Sequence, residues 1–502
     1  MRKRAPSVTS ENYRDSLLSV KAEALGQNIQ TVLTLFLHCR EEKQTARILW
    51  SHPHPPHIVS SKFPSIFQFC FPGGSERCAN DNFTFTFVLT DSNGSRAYGH
   101  VTRVVNGEAY VCLSPFPWCT FFQIICDLYR RLPSKERQEM VHGLYESAPP
   151  SSGECFPVKF GWMQLHRPLD TVCRFIDTEP ATLLDVFTHD QLVRVVGALL
   201  LERNVVVVGA NFSVVSRVVM SLLALLAPFE WQHILIPVLP TTLIDVLSAP
   251  TPYFVGVLDS HLALVEQRRI VIESVVLVTL ENLRCSAVHH LNNDLVRKRR
   301  DSIAPPFSST LSTLYVKLAL LRLAPKRFRS SAAICDIFME YYASLWEDIE
   351  TERMGKQSSH SRDADAGGSC FIQSFLHSQS LAVLEADLNR LLSAEEGLWL
   401  RHQFVMALIR KQPARWPQKY QTLCAAKKQL RNATLDYGEK QLDKTTRVAL
   451  KRRRHVGFTR LALRVVGCCV PQDGSDTDAD TAMGRIVVVS PLHGDDCTKM
   501  CP

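Results

Sequence analysis

The sequence predicts a two-part chain, a small α+β unit followed by a larger α/β unit, and three observations predict it. Residues 83–91, 97–105 and 108–114 are strand-like runs separated by Asn93-Gly94 and Asn106-Gly107, pairs that tolerate the positive φ of a type I′ hairpin turn. From about residue 190, continuous apolar runs such as NVVVV at 204–208 alternate with helical stretches, the pattern of a parallel sheet covered on both faces. Between the two textures, PPSSG at 149–153 is a turn-rich linker.

Each element follows from its local pattern. Phe83, Phe85 and Phe87 alternate with Thr84 and Thr86, so 83–91 is a strand with one buried face. TVLTLFLH at 31–38 and SIFQFCF at 65–71 read as two further strands. Residues 118–132 have apolar positions at helical spacing and stop at Pro133. In the second part, 190–203, 213–227 and 241–248 read as helices, and 204–208, 233–239, 253–257 and 274–280 as strands. Beyond 310 only helical periodicity remains, at 311–322, 331–349 and 370–392. The polar stretch 351–369 reads as a loop.

Composition bounds the function. The chain has 502 residues, 46% apolar and 21% charged, which excludes a fibre or a membrane bundle. The longest apolar stretch, 218–229, is shorter than the ~18 to 20 residues that span a bilayer. The chain opens MRKR with no apolar run behind it and its 16 cysteines are scattered, so a cytoplasmic protein with free thiols is expected. Residues 1–410 carry 40 basic and 40 acidic side chains, whereas 411–464 carry 15 basic and 3 acidic ones. That distribution gives no expectation of specific nucleic-acid binding. The run Lys451, Arg452, Arg453, Arg454 is instead a candidate contact for an anionic membrane surface.

Catalytic constellations are scarce. There is no phosphate-binding GxxxxGK[ST] loop, and Val208-Gly209-Ala210-Asn211 lacks the later glycines of a dinucleotide fingerprint. A phosphate at the start of the following helix is a weak alternative. His52, His54 and His57 stand among prolines that should hold the segment extended, without a cysteine or carboxylate to complete a metal set. Cys70, Cys112, Cys119 and Cys126 fall in strand or helix patterns and read as small core residues. No cofactor, metal or covalent chemistry is expected.

The most distinctive stretches are ILWSHP at 48–53, IFQFCFPGG at 66–74, FTFVLTD at 85–91, RAYG at 96–99 and LSPFPW at 113–118. They continue with LLLER at 199–203, Ser213 with Ser216, PFEWQH at 228–233, IPVLP at 236–240, Asp245, APTPY at 249–253 and Val255-Gly256. This series resembles the DENN-domain family, and RPLD at 167–170 resembles its second subgroup, the DENN domain-containing proteins 2. The resemblance covers roughly 30–395.

It implies a bilobed tripartite module: a longin-like antiparallel-sheet lobe, then a Rossmann-like α/β lobe with a helical extension. The divisions are then 1–27 as an N-terminal segment, 28–149 as the upstream longin-like lobe, 150–283 as the central α/β lobe and 284–410 as the downstream helical part. Residues 411–502 form a basic then acidic tail expected to be poorly ordered. The resemblance implies a guanine-nucleotide exchange factor that grips a Rab-family GTPase between its lobes, recruited peripherally to endosomal or other trafficking membranes. A non-catalytic adaptor of the same fold is the alternative. A GTPase-activating protein using Arg77, Arg96 or Arg103 as a finger ranks lower. Partner contact is expected from polar groups beside the family turns, Glu202, Arg203, Gln232, His233 and Asp245, and from Ser114 and Trp118, which lie where strand meets helix in the longin-like lobe and are expected to face the cleft. Glu202 and Arg203 are also read as an ion pair at a helix end.

Overall fold

Pleating decides which side chains of the first strands share a face, and the fold assembles from that alternation. The computed structural model describes residues 32–42, 45–63, 65–73, 83–91, 94–147, 155–160, 163–166, 180–267, 275–281, 284–291, 309–324, 331–353, 366–393, 404 and 407–408. The first sheet is antiparallel, with strands β1 (Leu35–Glu42), β2 (Thr45–His52), β3 (Phe83–Thr90), β4 (Arg96–Arg103) and β5 (Glu108–Ser114) in the order β2-β1-β5-β4-β3. Gly94 and Gly107 have φ of 81° and 82°, the left-handed values that the hairpin turns demand. Helices α1 (Pro56–Lys62) and α2 (Ile66–Cys70) lie between β2 and β3, and α3 (Cys119–Arg131) and α4 (Ser134–Glu146) follow β5.

Two expectations fail in this lobe. SIFQFCF is not a strand: α2 buries Ile66, Phe69 and Cys70, the i, i+3, i+4 spacing of a helical turn, which so short an apolar run does not distinguish from a strand. The fifth strand is β2 instead. The prolines of 53–56 do not keep the histidine segment extended either, because Pro56 starts α1, where its missing N–H costs nothing.

A short hairpin, β6 (Cys155–Phe160) and β7 (Met163–His166), comes next. The second lobe then runs α5 (Leu183–Val186), α6 (His189–Leu200), β8 (Asn204–Gly209), α7 (Phe212–Leu225), β9 (Ile234–Ile236), a 3₁₀ turn (Thr241–Ser248), β10 (Tyr253–Leu258), α8 (Asp259–Gln267), β11 (Val275–Glu281) and β12 (Arg284–Leu291). Its sheet has the order β12-β11-β8-β10-β9. Strands β11, β8, β10 and β9 are parallel, as expected, and β12 adds an antiparallel edge. Strand β9 stops at Ile236 rather than continuing to 239, because Pro237 has no N–H for a ladder. The downstream helices are α9 (Ser309–Leu323), α10 (Ser331–Arg353), α11 (Ala366–Leu376) and α12 (Gln379–Ser393). The last two replace the single helix expected over 370–392.

Both sheets are buried on both faces. On the first, Phe36, Tyr110 and Cys112 pack with Phe122, Ile125, Tyr129, Met140 and Val141 of α3 and α4. The alternate residues Leu35, Leu37, Val111 and Leu113 share a core with Val206, Val208, Tyr253, Val255 and Val257 of the second sheet. The remaining face of the second sheet, with Val205, Val207, Phe254, Val276 and Val278, packs under α6, α7 and α10 to α12. Cys70, Cys112, Cys119 and Cys126 are buried within these cores with free thiols.

One helix serves both lobes. Strand β3 is an edge, and the outward backbone groups of an edge must be paired or covered. Helix α7 does so: the Thr86 N–H donates to Ser216 Oγ at 2.9 Å, Ser216 Oγ donates back to the Thr86 carbonyl at 3.0 Å, and the Thr84 N–H donates to Ser213 Oγ at 3.2 Å. At the start of α7, Phe212 stacks on Phe83 with ring centres 5.6 Å apart. Gly256 of β10 has a packing reason of its own, since a Cβ there would sit 2.1 Å from the Pro237 carbonyl oxygen.

Ser216→Ala therefore leaves both backbone groups of Thr86 unpaired in a buried junction, and chemical denaturation should show a loss of about 1–3 kcal/mol. Gly256→Ala should cost a similar ~1–3 kcal/mol through overpacking, while Ser248→Ala, on the exposed side of the 3₁₀ turn, should stay within about 0.5 kcal/mol.

Candidate functional site

Helix α6 ends in a Schellman turn. The N–H of Glu202 bonds to the Leu199 carbonyl and that of Arg203 to the Ala198 carbonyl, each at 3.0 Å. The left-handed position of this turn normally holds glycine, yet Glu202 occupies it with φ 52°, at a cost of roughly 1 kcal/mol. Its side chain supplies what glycine lacks. The carboxylate accepts from the backbone N–H of Gln379 at 3.0 Å, the N–H of Ser380 at 2.8 Å and Ser380 Oγ at 2.8 Å. It thus caps the first turn of α12, where the helix dipole favours a negative charge. His233 Nε2 lies 2.9 Å from the same carboxylate.

The loop carrying His233 is held from the other lobe. Arg96, the first residue of β4, donates from Nη2 to the carbonyls of Trp231 and His233. Trp231 is buried and its indole N–H donates to the Ile234 carbonyl at 3.0 Å. One knot therefore joins β4 of the first sheet, the 231–233 loop, the end of α6 and the start of α12. Burial alone would raise the Glu202 pKa, but the hydrogen bonds from His233, Ser380 and Gln379 outweigh it and hold it at about 2.

Arg203 immediately precedes β8 and Gln232 lies just before β9. Both sit at the N-terminal edge of the parallel sheet and both are exposed. Gln232 Nε2 donates to the Glu230 carbonyl at 2.9 Å. Asp245 is exposed on the 3₁₀ turn, which docks on the first lobe through Thr241 N–H to the Pro72 carbonyl and Thr242 Oγ1 to Gln68 Oε1.

Other expectations need correction. Ser114 does not face a cleft: it is buried, its hydroxyl donates to the Val32 carbonyl at 2.7 Å and accepts from the Phe116 N–H at 3.0 Å. Trp118 is buried as well, its ring stacked on Phe116 at 4.4 Å and packed against Phe121 and Phe122. Both brace the junction of β5 with α3. Glu202 pairs with His233 and α12 rather than with Arg203. The start of α7 is closed to a phosphate, since Asn211 Oδ1 accepts from the Ser213 and Val214 N–H groups. Lys451, Arg452, Arg453 and Arg454, together with Arg77 and RPLD at 167–170, lie outside the described residues. Sequence reasoning missed Arg96 as a cross-lobe anchor and Ser380 as the cap partner. RAYG signalled the first; nothing in the local pattern signals the second.

Residues 46–104 match the family model described as the uDENN domain, and residues 105–283 match the DENN (AEX-3) domain. Residues 46–283 of this chain are thus a uDENN–DENN module. Its similarity is to the second subgroup: 33% identity over 246 residues with DENN domain-containing protein 2A of Homo sapiens, covering 45% of this chain and 24% of that protein. DENN domain-containing protein 2B of Mus musculus is 32% identical over 224 residues, covering 41% of this chain and 20% of the relative. For DENN domain-containing protein 2D of Homo sapiens the identity is 30% over 214 residues, covering 38% and 45%. The matches thus span about a quarter of 2A and under half of 2D. The boundary between the two family models falls in the β4–β5 hairpin, inside one continuous sheet.

Replacing Glu202 should separate turn geometry from the charge. Glu202→Gly relieves the left-handed strain but uncaps α12, so we expect a net loss of stability; Glu202→Gln should lose about 1.5–3 kcal/mol. The native carboxyl is held below its unfolded value, so its contribution is complete above pH ~4.5 and fades as pH falls toward about 2. The stability gap between the parent chain and Glu202→Gln should therefore narrow on acidification, as read by thermal unfolding from neutral pH to pH 3.

Proposed function

We propose that this chain is a guanine-nucleotide exchange factor for a Rab-family small GTPase, acting without covalent chemistry and without a cofactor. The reading is supported by the uDENN–DENN module at 46–283 and by the knot of Arg96, His233 and Glu202 that fixes both lobes and α12 as one surface. An exchange factor works by binding the nucleotide-free GTPase more tightly than the loaded one. By linkage it must then weaken nucleotide affinity. A rigid two-lobed surface suits that task, because a surface that yields would follow the partner rather than deform it. Arg203, Gln232 and Asp245 are the contact residues proposed on it; Glu202 and His233 hold their neighbours in place from within. The domain divisions of the sequence reading, 28–149, 150–283 and 284–410, are retained as the working units. Peripheral recruitment to trafficking membranes, endosomal ones included, belongs to the same proposal. No helix among the described residues is long and apolar enough to cross a membrane.

The GTPase-activating alternative loses support. Arg96 is committed to the Trp231 and His233 carbonyls, and Arg103 is buried against Glu41 with its guanidinium over Phe71. Neither guanidinium is presented as a finger.

Release of fluorescent GDP from a Rab panel tests the proposal. The chain should accelerate release from at least one member, and Arg203→Ala combined with Asp245→Ala should lower that rate about tenfold or more, the effect of losing ~1.4 kcal/mol of contact, with unfolding temperature unchanged. Binding without accelerated release would establish the adaptor instead. Alanine at Lys451, Arg452, Arg453 and Arg454 should weaken flotation with anionic liposomes and leave exchange in solution intact.

A further inference from the structure

The motif HPHPPH at 52–57 takes no part in the surface described above, but the fold brings a fourth histidine to it. His52 closes β2 opposite Phe36 of β1, and the end of α4 packs against its ring. His142 of α4 meets that ring edge-on with centres 5.2 Å apart, and Tyr145 meets it at 5.0 Å, each at 85°. Trp50 stacks on it at 6.1 Å from the same strand. His52 is half-buried in this nest, and its Nε2 is buried without a hydrogen-bond partner.

Packing alone does not call for histidine here, because phenylalanine would fill the space with no polar nitrogen to desolvate. What histidine adds is a charge that changes between pH ~5 and 8. His142 is exposed and its Nε2 lies 3.2 Å from Glu146 Oε1, so it can hold a proton in water beside a counter-charge. His52 has no such freedom. Its charge would sit in a part-buried site next to a second imidazolium, where like charges repel and water screens less. Among the described residues no group of three or more His, Cys, Asp and Glu side chains is placed to hold a metal ion, and the proton is the species this pair is built to take up.

The titratable and charged groups around His52 are His54 on its own segment, His142, Tyr145 and Glu146 on α4, the exposed His57 on α1, and Tyr129 of α3 beyond Trp50. Burial and then His142 lower the His52 pKa; Glu146 opposes them and His54 adds to them. The folded chain thus takes this proton less readily than the unfolded chain. The contribution to stability is complete above the ordinary imidazole value of 6.5 and is lost as pH falls below it toward the lowered native value.

We propose that His52 and His142 form a proton-operated clasp between β2 and α4. Near neutral pH the uncharged His52 ring lets the end of α4 close on the strand; in mildly acidic solution a proton on each ring drives the C-terminal turn of α4 away. Met140 and Val141, fully buried, hold the body of the helix, so the release is local. The clasp does not depend on nucleotide exchange.

The test follows thermal unfolding and amide hydrogen exchange of the full-length chain at about pH 7.5 and about pH 5.5, on either side of the histidine range. On acidification the parent should lose ~2 °C or more of unfolding temperature beyond the loss in His52→Phe. At the lower pH its α4 amides should exchange faster than those of His52→Phe, with α6 equal in the two proteins. His142→Gln, at an exposed position that tolerates change, should also reduce the acid loss, and Glu146→Gln, which removes the counter-charge, should enlarge it. Three results overturn the proposal: the same acid loss in the parent and the His142→Gln variant, acid-accelerated exchange that is as great in α6 as in α4, or a Glu146→Gln variant that resists acid better than the parent.

Discussion

A parallel sheet rich in valine on both faces cannot stand with one face in water, and this constraint organises the molecule. Strands β8 and β10 put Val206, Val208, Val255 and Val257 on one side and Val205, Val207 and Phe254 on the other. Helices cover the second set. The first set is covered by the antiparallel sheet of the first lobe, whose Leu35, Leu37, Val111 and Leu113 lie in the same core. The lobes are thus two sheets sharing a core rather than two domains on a linker. At ~1.5–3 kcal/mol for each fully buried aliphatic side chain, separating them would expose more apolar surface than either lobe's stability could offset.

That shared core needs edges that do not stay open, and polar residues at its margins close them. Ser213 and Ser216 of α7 satisfy the backbone of β3. Arg96 satisfies the carbonyls of the 231–233 loop from the opposite lobe. Glu202 accepts left-handed strain so that one carboxylate can cap α12 and meet His233. Non-glycine residues in such conformations tend to persist where their side chains are needed, and here the need is to hold the helical extension on the central lobe. Arg203 and Gln232 are exposed because their neighbours carry the structure. A partner surface built on that edge inherits its rigidity from groups the partner need not touch.

The sequence by itself determined the element types wherever a period ran long enough. The Phe83, Phe85, Phe87 alternation, the hairpin glycines at 94 and 107, the valine strand at 204–208 and the helix before it all follow from residue order. So does the resemblance of 46–283 to a uDENN–DENN module, carried by motifs such as PFEWQH and LLLER. Where a run was short or a residue's partner distant, the order of residues was silent. SIFQFCF suits a strand and a helical turn equally, and only its packing under the first sheet made it α2. Ser114 and Trp118 are types that serve at surfaces as readily as in cores, and the fold put them inside. Glu202 finds its partners at 379 and 380, some 178 positions away, a distance over which no local pattern carries information. Local periodicity encodes what a segment becomes, because it depends on neighbours a few residues apart. Which polar groups end up buried, paired or presented depends on which distant segments meet, and that was decided by the tertiary structure alone.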